Sequence, residues 1–310
     1  MEYPIDGILL VDKDEGETSY GVVRKAKSVF RELNVRKVGH AGTLDPFATG
    51  LLIILLGQGT KLSHFIMSED KVYTATLRLG IETDTLDPTG RQVRTNDVPD
   101  LSPGYIQEKA RKFIGHIEQI PPLYSAVKHK GKRAYSLARR GLKPHLNKRK
   151  VTVGSVHILS VNLPDVTMEV RCSSGTYVRS LAAALGNELG PGGHLKSLRR
   201  LASGSFEARS AVSSKEILAK GNRTSLLDRV IPLRDAVPGM REIEIDAFLA
   251  EKVRNGLQSA LEGLTGMFDF PDIVDEHVKL VEDGRLVAIV KLIKTRRPGY
   301  IKTKIERVFM

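Results

Sequence analysis

Residues 39–56 constrain the fold of this 310-residue chain more than any other stretch. Gly39-His40-Ala41-Gly42-Thr43-Leu44-Asp45-Pro46 gathers a histidine, a carboxylate and two glycines into one short, turn-rich segment, and the wholly apolar run Leu51–Leu56 follows directly after Gly50. A proline after Asp45 pushes the aspartate backbone towards β or polyproline II conformations. Gly39 and Gly42 permit backbone angles and close approaches that a Cβ would block. The pattern predicts a rigid loop presenting one carboxylate at the edge of a sheet, with a strand leading away from it. A carboxylate held in this way can act as a nucleophile on a sugar-like carbon. The same pattern also describes an aspartate that merely caps a turn, and the local sequence does not separate the two.

Charge is the second constraint. The formal net charge is +12, and between Lys128 and Lys150 there are ten Lys/Arg and no Asp or Glu. Gly131, Tyr135, Gly141 and Pro144 interrupt this stretch, so it reads as a helix–loop that lays cations along a polyanion. The plain alternative is a solvated basic face. The single Cys172 has no partner for an internal disulfide, which suits a reducing compartment, and it reads as a small strand residue in Val170-Arg171-Cys172-Ser173. The longest wholly apolar run, Leu51–Leu56, is far too short to span a membrane. Met1-Glu2-Tyr3-Pro4 does not begin a signal peptide, so a cytoplasmic location is expected. With no Walker-type loop, no HExxH and no Cys/His ligand cluster, neither a cofactor nor a metal is expected.

Periodicity predicts a strand over 7–11 and a helix over roughly 20–33 capped by Ser19, with Val22, Val23, Ala26, Val29, Phe30 and Leu33 at helical spacing. A strand over 71–80 places Tyr73, Ala75, Leu77 and Leu79 on one face. Ser102-Pro103 opens a second helix, 150–161 and 166–173 alternate as strands, and Gly175 or Thr176 opens a third helix to about Leu189. Strands and helices intermix without a βαβ repeat, so the class is α+β with a mixed or antiparallel sheet. A second unit begins after Pro238-Gly239, giving domains of 1–240 and 241–310. Its core is a hairpin of strands 278–282 and 286–293 turned by Glu282-Asp283-Gly284, with a final strand from Ile301 to Phe309.

Taken in order, several segments together resemble the TruB family of pseudouridine synthases. The opening segment Gly7-Ile8-Leu9-Leu10-Val11-Asp12-Lys13 with Gly16, Thr18 and Ser19 is similar to that family's first motif. The Asp45 loop resembles its catalytic motif. Lys71-Val72-Tyr73 with Leu79 to Asp87, Pro121-Pro122-Leu123-Tyr124-Ser125-Ala126-Val127-Lys128 with Gly131 and Tyr135, Ser174-Gly175-Thr176-Tyr177-Val178-Arg179, and Leu198-Arg199-Arg200-Leu201 complete the set. The resemblance runs over about residues 7 to 235. One departure is visible: Asp14 stands where the family has proline, which bears on loop rigidity rather than on the chemistry. Val253-Arg254-Asn255-Gly256 and the hairpin after it resemble, more weakly, a PUA domain, a small β-barrel that binds RNA.

The resemblance implies a pseudouridine synthase catalytic domain with a basic RNA-binding insertion at about 121–150, followed by a small C-terminal PUA-like β-barrel. It implies that the T-loop uridine at tRNA position 55 is flipped out and isomerised. Asp45 is then the nucleophile, with attack on the sugar, attack on the base and a glycal route all left open. Arg179 is its ion-pair partner, and Tyr73 stacks on the uracil and takes part in proton transfer. Tyr177 and Leu198 complete the base pocket. Asp87 orients Tyr73, contacts the base or caps a turn beside Pro88, and His40 fills the gap left by the flipped base. Lys61, Lys128 and Lys130 grip phosphates. The implied partner is tRNA, through its T-arm and, via the PUA-like unit, its acceptor end, with no obligate protein partner and no membrane. Two alternatives remain. One is a guide-dependent H/ACA-type synthase, which the basic insertion argues against. The other is a tRNA-folding factor with secondary catalysis, which the intact Asp45 motif argues against.

Overall fold

The computed structural model describes residues 5–310 except 126, 130, 139, 143, 219–222, 262–274 and 295–300. Among the described residues the larger part is built on an eleven-stranded mixed sheet. Its main path runs Val212–Ser213, Gly7–Lys13, Thr49–Leu56, Gly193–Ser203, Lys71–Leu79, Asp165–Cys172, Arg149–Asn162 and Gly115–Gln119. The Gly193–Ser203 strand runs parallel to Thr49–Leu56 and antiparallel to Lys71–Leu79, so the sheet is mixed, as expected for an α+β fold.

The apolar run Leu51–Leu56 follows from where this strand lies. Leu52, Ile54 and Leu56 enter one core with Val22, Val23, Ala26 and Phe30 of the Ser19–Arg31 helix. Leu51, Ile53 and Leu55 enter a second core with Phe65 and with Leu286, Ile289 and Phe309 of the C-terminal sheet. A strand covered on both faces has no polar side to alternate with. Burying each such side chain contributes roughly 1.5–3 kcal/mol, so this strand is among the best anchored in the molecule.

Helix caps shift slightly from expectation. The Ser19–Arg31 helix is capped by the Thr18 side chain, which accepts from Gly21 N–H at 2.9 Å, and Ser19 is its first residue. Ser102 caps Pro103–Arg111 as anticipated, accepting from Tyr105 N–H. Tyr177 is the N-cap of Val178–Leu189. The basic segment is not a plain helix–loop. It is a ribbon of Lys128–His129 and Lys132–Arg133 leading into a short helix, Ala134–Ala138. Lys130 and the side chain of Lys128 lie outside the described residues.

The C-terminal part is a four-stranded sheet in the order Arg241–Glu244, His277–Glu282, Arg285–Lys294 and Ile301–Val308, with the helix Ala247–Arg254 packed on it. This sheet domain is consistent with the PUA-like expectation. The turn at Asp283-Gly284 has both residues at positive φ (47° and 71°), as a tight hairpin connection requires. Lys61 lies where the two parts meet. Its Nζ donates to Val308 O at 2.7 Å and to Gln58 Oε1 at 2.9 Å, and stands 5.4 Å from the Phe309 ring centre. Among the described residues no helix is long and apolar enough to cross a membrane.

Candidate active site

The Asp45 loop is held from beneath by the opening segment. Lys13, fully buried, donates from Nζ to Pro46 O at 3.3 Å, Asp14 O at 2.9 Å and Glu17 O at 2.8 Å. Gly16 N–H also donates to Pro46 O at 2.8 Å. Leu44 N–H donates to Ser19 Oγ at 2.8 Å, and Ser19 Oγ donates back to Leu44 O at 3.0 Å. One short segment thus fixes the backbone on both sides of Asp45. Asp14 compensates for the missing proline. Its N–H lies 3.4 Å from Ser214 Oγ, a bond proline cannot make, and its Oδ2 accepts from that hydroxyl at 3.1 Å.

Asp45 meets Arg179 directly. Arg179 Nε stands 3.0 Å from Oδ2, and Nη2 donates to Oδ1 at 3.3 Å. Arg179 is 3 % exposed, and its Nε meets Asp45 as an ion pair without a hydrogen bond of its own. Nη1 donates to Asp87 Oδ2 at 3.0 Å and to Thr85 O at 3.1 Å, and Nη2 donates to Tyr124 O at 3.0 Å. The planar fork fits two carboxylates and two carbonyls at once, which an ammonium could not do. Burial pushes the Asp45 carboxyl above the usual range, and the Arg179 guanidinium pulls it back down. The carboxylate is enclosed yet keeps 35 % of its side-chain surface open to the cleft, so water there moderates the shift.

Asp87 sits behind Arg179 rather than against a ligand. It is 4 % exposed, and its Oδ1 accepts from Thr85 Oγ1 at 2.7 Å, Thr89 N–H at 3.0 Å and Thr89 Oγ1 at 2.6 Å. It thus makes the hydrogen bonds of a turn cap at Thr85 and Thr89 and also holds Arg179.

Above Asp45 opens a cleft of about 480 Å³ lined by Gly42, Thr43, Leu44, Asp45, Lys71, Tyr73, Tyr124, Arg133, Tyr135, Tyr177, Arg179, Leu198 and Arg200, among others. The structure therefore brings Asp45, Tyr73, Tyr177, Arg179 and Leu198 together. Tyr73 is half-buried on the Lys71–Leu79 strand, and burial raises its phenol above the ordinary tyrosine range. His40, on the short Val38–Ala41 strand, stands outside this lining. Its Nδ1 is buried without a hydrogen-bond partner, and burial followed by the Arg200 charge lowers its pKa, favouring the neutral ring. Lys61 lies away from the cleft, engaged by Val308 and Gln58. Cys172 is buried, and burial pushes its thiol up to about 11, in keeping with an inert strand residue.

Three cations escaped sequence reasoning: Lys13 under the loop, and Lys71 and Arg200 in the cleft wall. Burial lowers Lys71 to about 8, helped by the nearby Arg200 charge, while its Nζ donates to Met67 O at 2.6 Å and to Glu69 O. The sequence signals were present in Lys71-Val72-Tyr73 and Leu198-Arg199-Arg200-Leu201, but a lysine or arginine in a strand reads as surface. Among the described residues no group of three or more His, Cys, Asp or Glu is arranged to hold a metal.

A buried fork thus grips one cleft-facing carboxylate on a mixed sheet, with Tyr73, Tyr124, Tyr135 and Tyr177 in the cleft lining. A model of the TruB family pseudouridylate synthase N-terminal domain matches residues 30–178, and one of the tRNA pseudouridylate synthase B C-terminal domain matches residues 179–237. A protein of Syntrophus aciditrophicus named tRNA pseudouridine synthase B is 43 % identical over 292 residues, covering 93 % of this chain and 92 % of its own. The protein of that name from Geobacter sulfurreducens is 38 % identical over 92 % of this chain and 93 % of its own. A chain of the crystallised Cbf5–Nop10–Gar1 complex superposes with a TM-score of 0.70 at 26 % identity, over 99 % of this chain and 85 % of that one. The chain belongs to the TruB family of pseudouridylate synthases, which are isomerases.

Proposed function

We propose that this protein isomerises the T-loop uridine of tRNA, position 55, to pseudouridine. The N-glycosidic bond breaks, the base turns within the cleft, a C1′–C5 bond forms, the C5 proton leaves and N1 takes up a proton, so the product is an isomer. Nothing is oxidised or reduced. Asp45 supplies the carboxylate nucleophile and Arg179 keeps it ionised and aimed. Tyr73, Tyr177 and Leu198 enclose the flipped base. Aromatic stacking worth roughly 1–3 kcal/mol helps to retain it once detached, and flipping gives it access. His40, neutral and with a free Nδ1, suits the space vacated by the base. The ribbon and helix of the 121–150 insertion, with Arg133 and Tyr135 at the cleft rim, face the RNA backbone. Residues 1–240 form the catalytic unit, and 241–310 form the PUA-like unit that reaches the acceptor end.

The observation that carries this reading is the Asp45–Arg179 pair facing a cleft of about 480 Å³ with Tyr73 in its wall. The guide-dependent alternative is not favoured: relatives aligned over nine-tenths of the chain at 38–43 % identity are named for tRNA. The test is tritium release from tRNA labelled with [5-³H]uridine, comparing the protein with Asp45→Asn and with a tRNA carrying cytidine at the target. Release that needs both Asp45 and that uridine supports the reading. Tight binding without release overturns it.

A further inference from the structure

Arg200 is 2 % exposed and, with Lys13, heads the largest fully buried side chains, yet it forms no ion pair with a carboxylate among the described residues. A buried guanidinium without a counter-ion is expensive unless its donors are used. Here they are used on the catalytic loop. Nε donates to Leu51 O at 2.6 Å and Nη2 donates to Gly42 O at 3.0 Å. Gly42 lies just before Asp45 and Leu51 just after the loop, so one planar group holds both ends of it. Tyr73, which lines the same cleft, is the cross-strand partner of Arg200.

Both glycines flanking the loop adopt positive φ beside residue 200. Gly42 has φ +92°, and a Cβ there would stand 3.4 Å from Arg200 Nη1. Gly50 has φ +98°, and a Cβ there would stand 2.3 Å from Arg200 O. Gly50 thus admits the backbone of residue 200, while a Cβ on Gly42 would stand at ordinary contact distance from the guanidinium.

We propose that Arg200 is a positioning residue of the reaction, fixing the Asp45 loop and the Tyr73 phenol at a set separation through a single guanidinium. The inference rests on the reading of this cleft as a pseudouridine synthase site. Asp45 sits on a loop and Tyr73 on a strand, and Arg200 binds the two ends of that loop from the position paired with Tyr73. A misplacement of about 1 Å between reacting groups can cost about a hundredfold in rate. Lysine would retain the charge but not the fork.

The experiment uses the full chain and a labelled tRNA transcript, measuring the single-turnover tritium-release rate, the tRNA Kd and thermal melting for wild type, Arg200→Lys and Arg200→Ala. Arg200→Lys is expected to slow release about a hundredfold with Kd within about twofold. Guanidinium ion added to Arg200→Ala is expected to restore part of the rate without tightening binding. A folded Arg200→Lys that releases at the wild-type rate overturns the proposal. So does a loss found wholly in Kd, or an Arg200→Ala indifferent to guanidinium. If neither variant folds, Arg200 serves stability alone and the positioning role is rejected. An inactive wild type defeats the reading of the cleft itself, whereas an active wild type with an active Arg200→Lys defeats only this inference.

Discussion

Arg179 Nη1 lies 3.0 Å from Asp87 Oδ2, with the two side chains 4 % and 6 % exposed. This buried pair aims the other edge of the guanidinium at Asp45. Removing one partner of such a pair typically costs about 3–5 kcal/mol, because the remaining charge is stranded. Arg179→Met should therefore lower both the melting temperature and single-turnover release. Adding Asp87→Leu to Arg179→Met should recover part of the stability and none of the activity. Recovery of both together in melting and release assays would separate Arg179 from the chemistry.

Asp45 carries a raised pKa because burial outweighs Arg179. The proposed nucleophile acts in its ionised form, so the acidic limb of the single-turnover profile should lie above that of a free aspartate. Stability moves the other way. A carboxyl raised in the folded state contributes stability that is fully present below its unfolded pKa and is lost as pH rises through its folded pKa. Asp45→Asn should remove that pH dependence from the melting temperature. A profile whose acidic limb falls at or below the ordinary aspartate value would contradict the assignment.

Gly50 and Gly39 should respond differently to alanine. Gly50→Ala places a Cβ 2.3 Å from Arg200 O at φ +98°, whereas the nearest atom to a Cβ on Gly39 is the Thr60 methyl at 3.7 Å. Gly50→Ala should cost several kcal/mol, beyond the roughly 1–3 kcal/mol of backbone strain alone, and Gly39→Ala should stay near wild type in urea unfolding.

Phe309 joins the C-terminal sheet to Ile8, Leu10, Leu51, Ile53 and Phe65 in one cluster. Phe309→Ala should cost about 3–5 kcal/mol and raise the tRNA Kd more than it slows single turnover. Lys61→Gln, which frees Val308 O, should lower stability in the same direction while leaving the salt slope of tRNA binding unchanged.

The 121–150 insertion should carry that slope. Changing Lys128, Lys130, Lys132 and Arg133 to Gln should weaken tRNA binding and flatten its dependence on salt by about 0.7–0.9 in log–log slope for each phosphate that is no longer neutralised. An unchanged slope in a salt titration would remove the segment from the RNA interface.

Much of the site was legible because its chemistry sits in short motifs. Asp45 precedes a proline, and Tyr73 lies in a plain alternating strand. What was illegible depends on closure of the sheet. Arg200 is buried only because Gly42 and Leu51 come to meet it from a loop some 150 positions earlier in the chain. Asp87 shows whether it faces ligand or arginine only once Arg179 is placed. Thr18 and Ser19 are both competent caps, and the choice falls to Thr18 because the Ser19 hydroxyl is engaged by Leu44. The apolar run signalled a buried strand, but its second cover, Leu286, Ile289 and Phe309, lies too far along the chain for any local pattern to reveal.

The parallel pairing of Arg199 and Arg200 with Thr49 and Gly50 gives the site a place in time as well as in space. A chain emerging from the ribosome exposes the Asp45 loop early, but the strand that closes it, Gly193–Ser203, is synthesised much later. The outer cover of Leu51, Ile53 and Leu55 follows last of all. Pairings of such sequence separation form slowly. The nascent protein therefore displays the Asp45 loop long before the strand that closes it has been made.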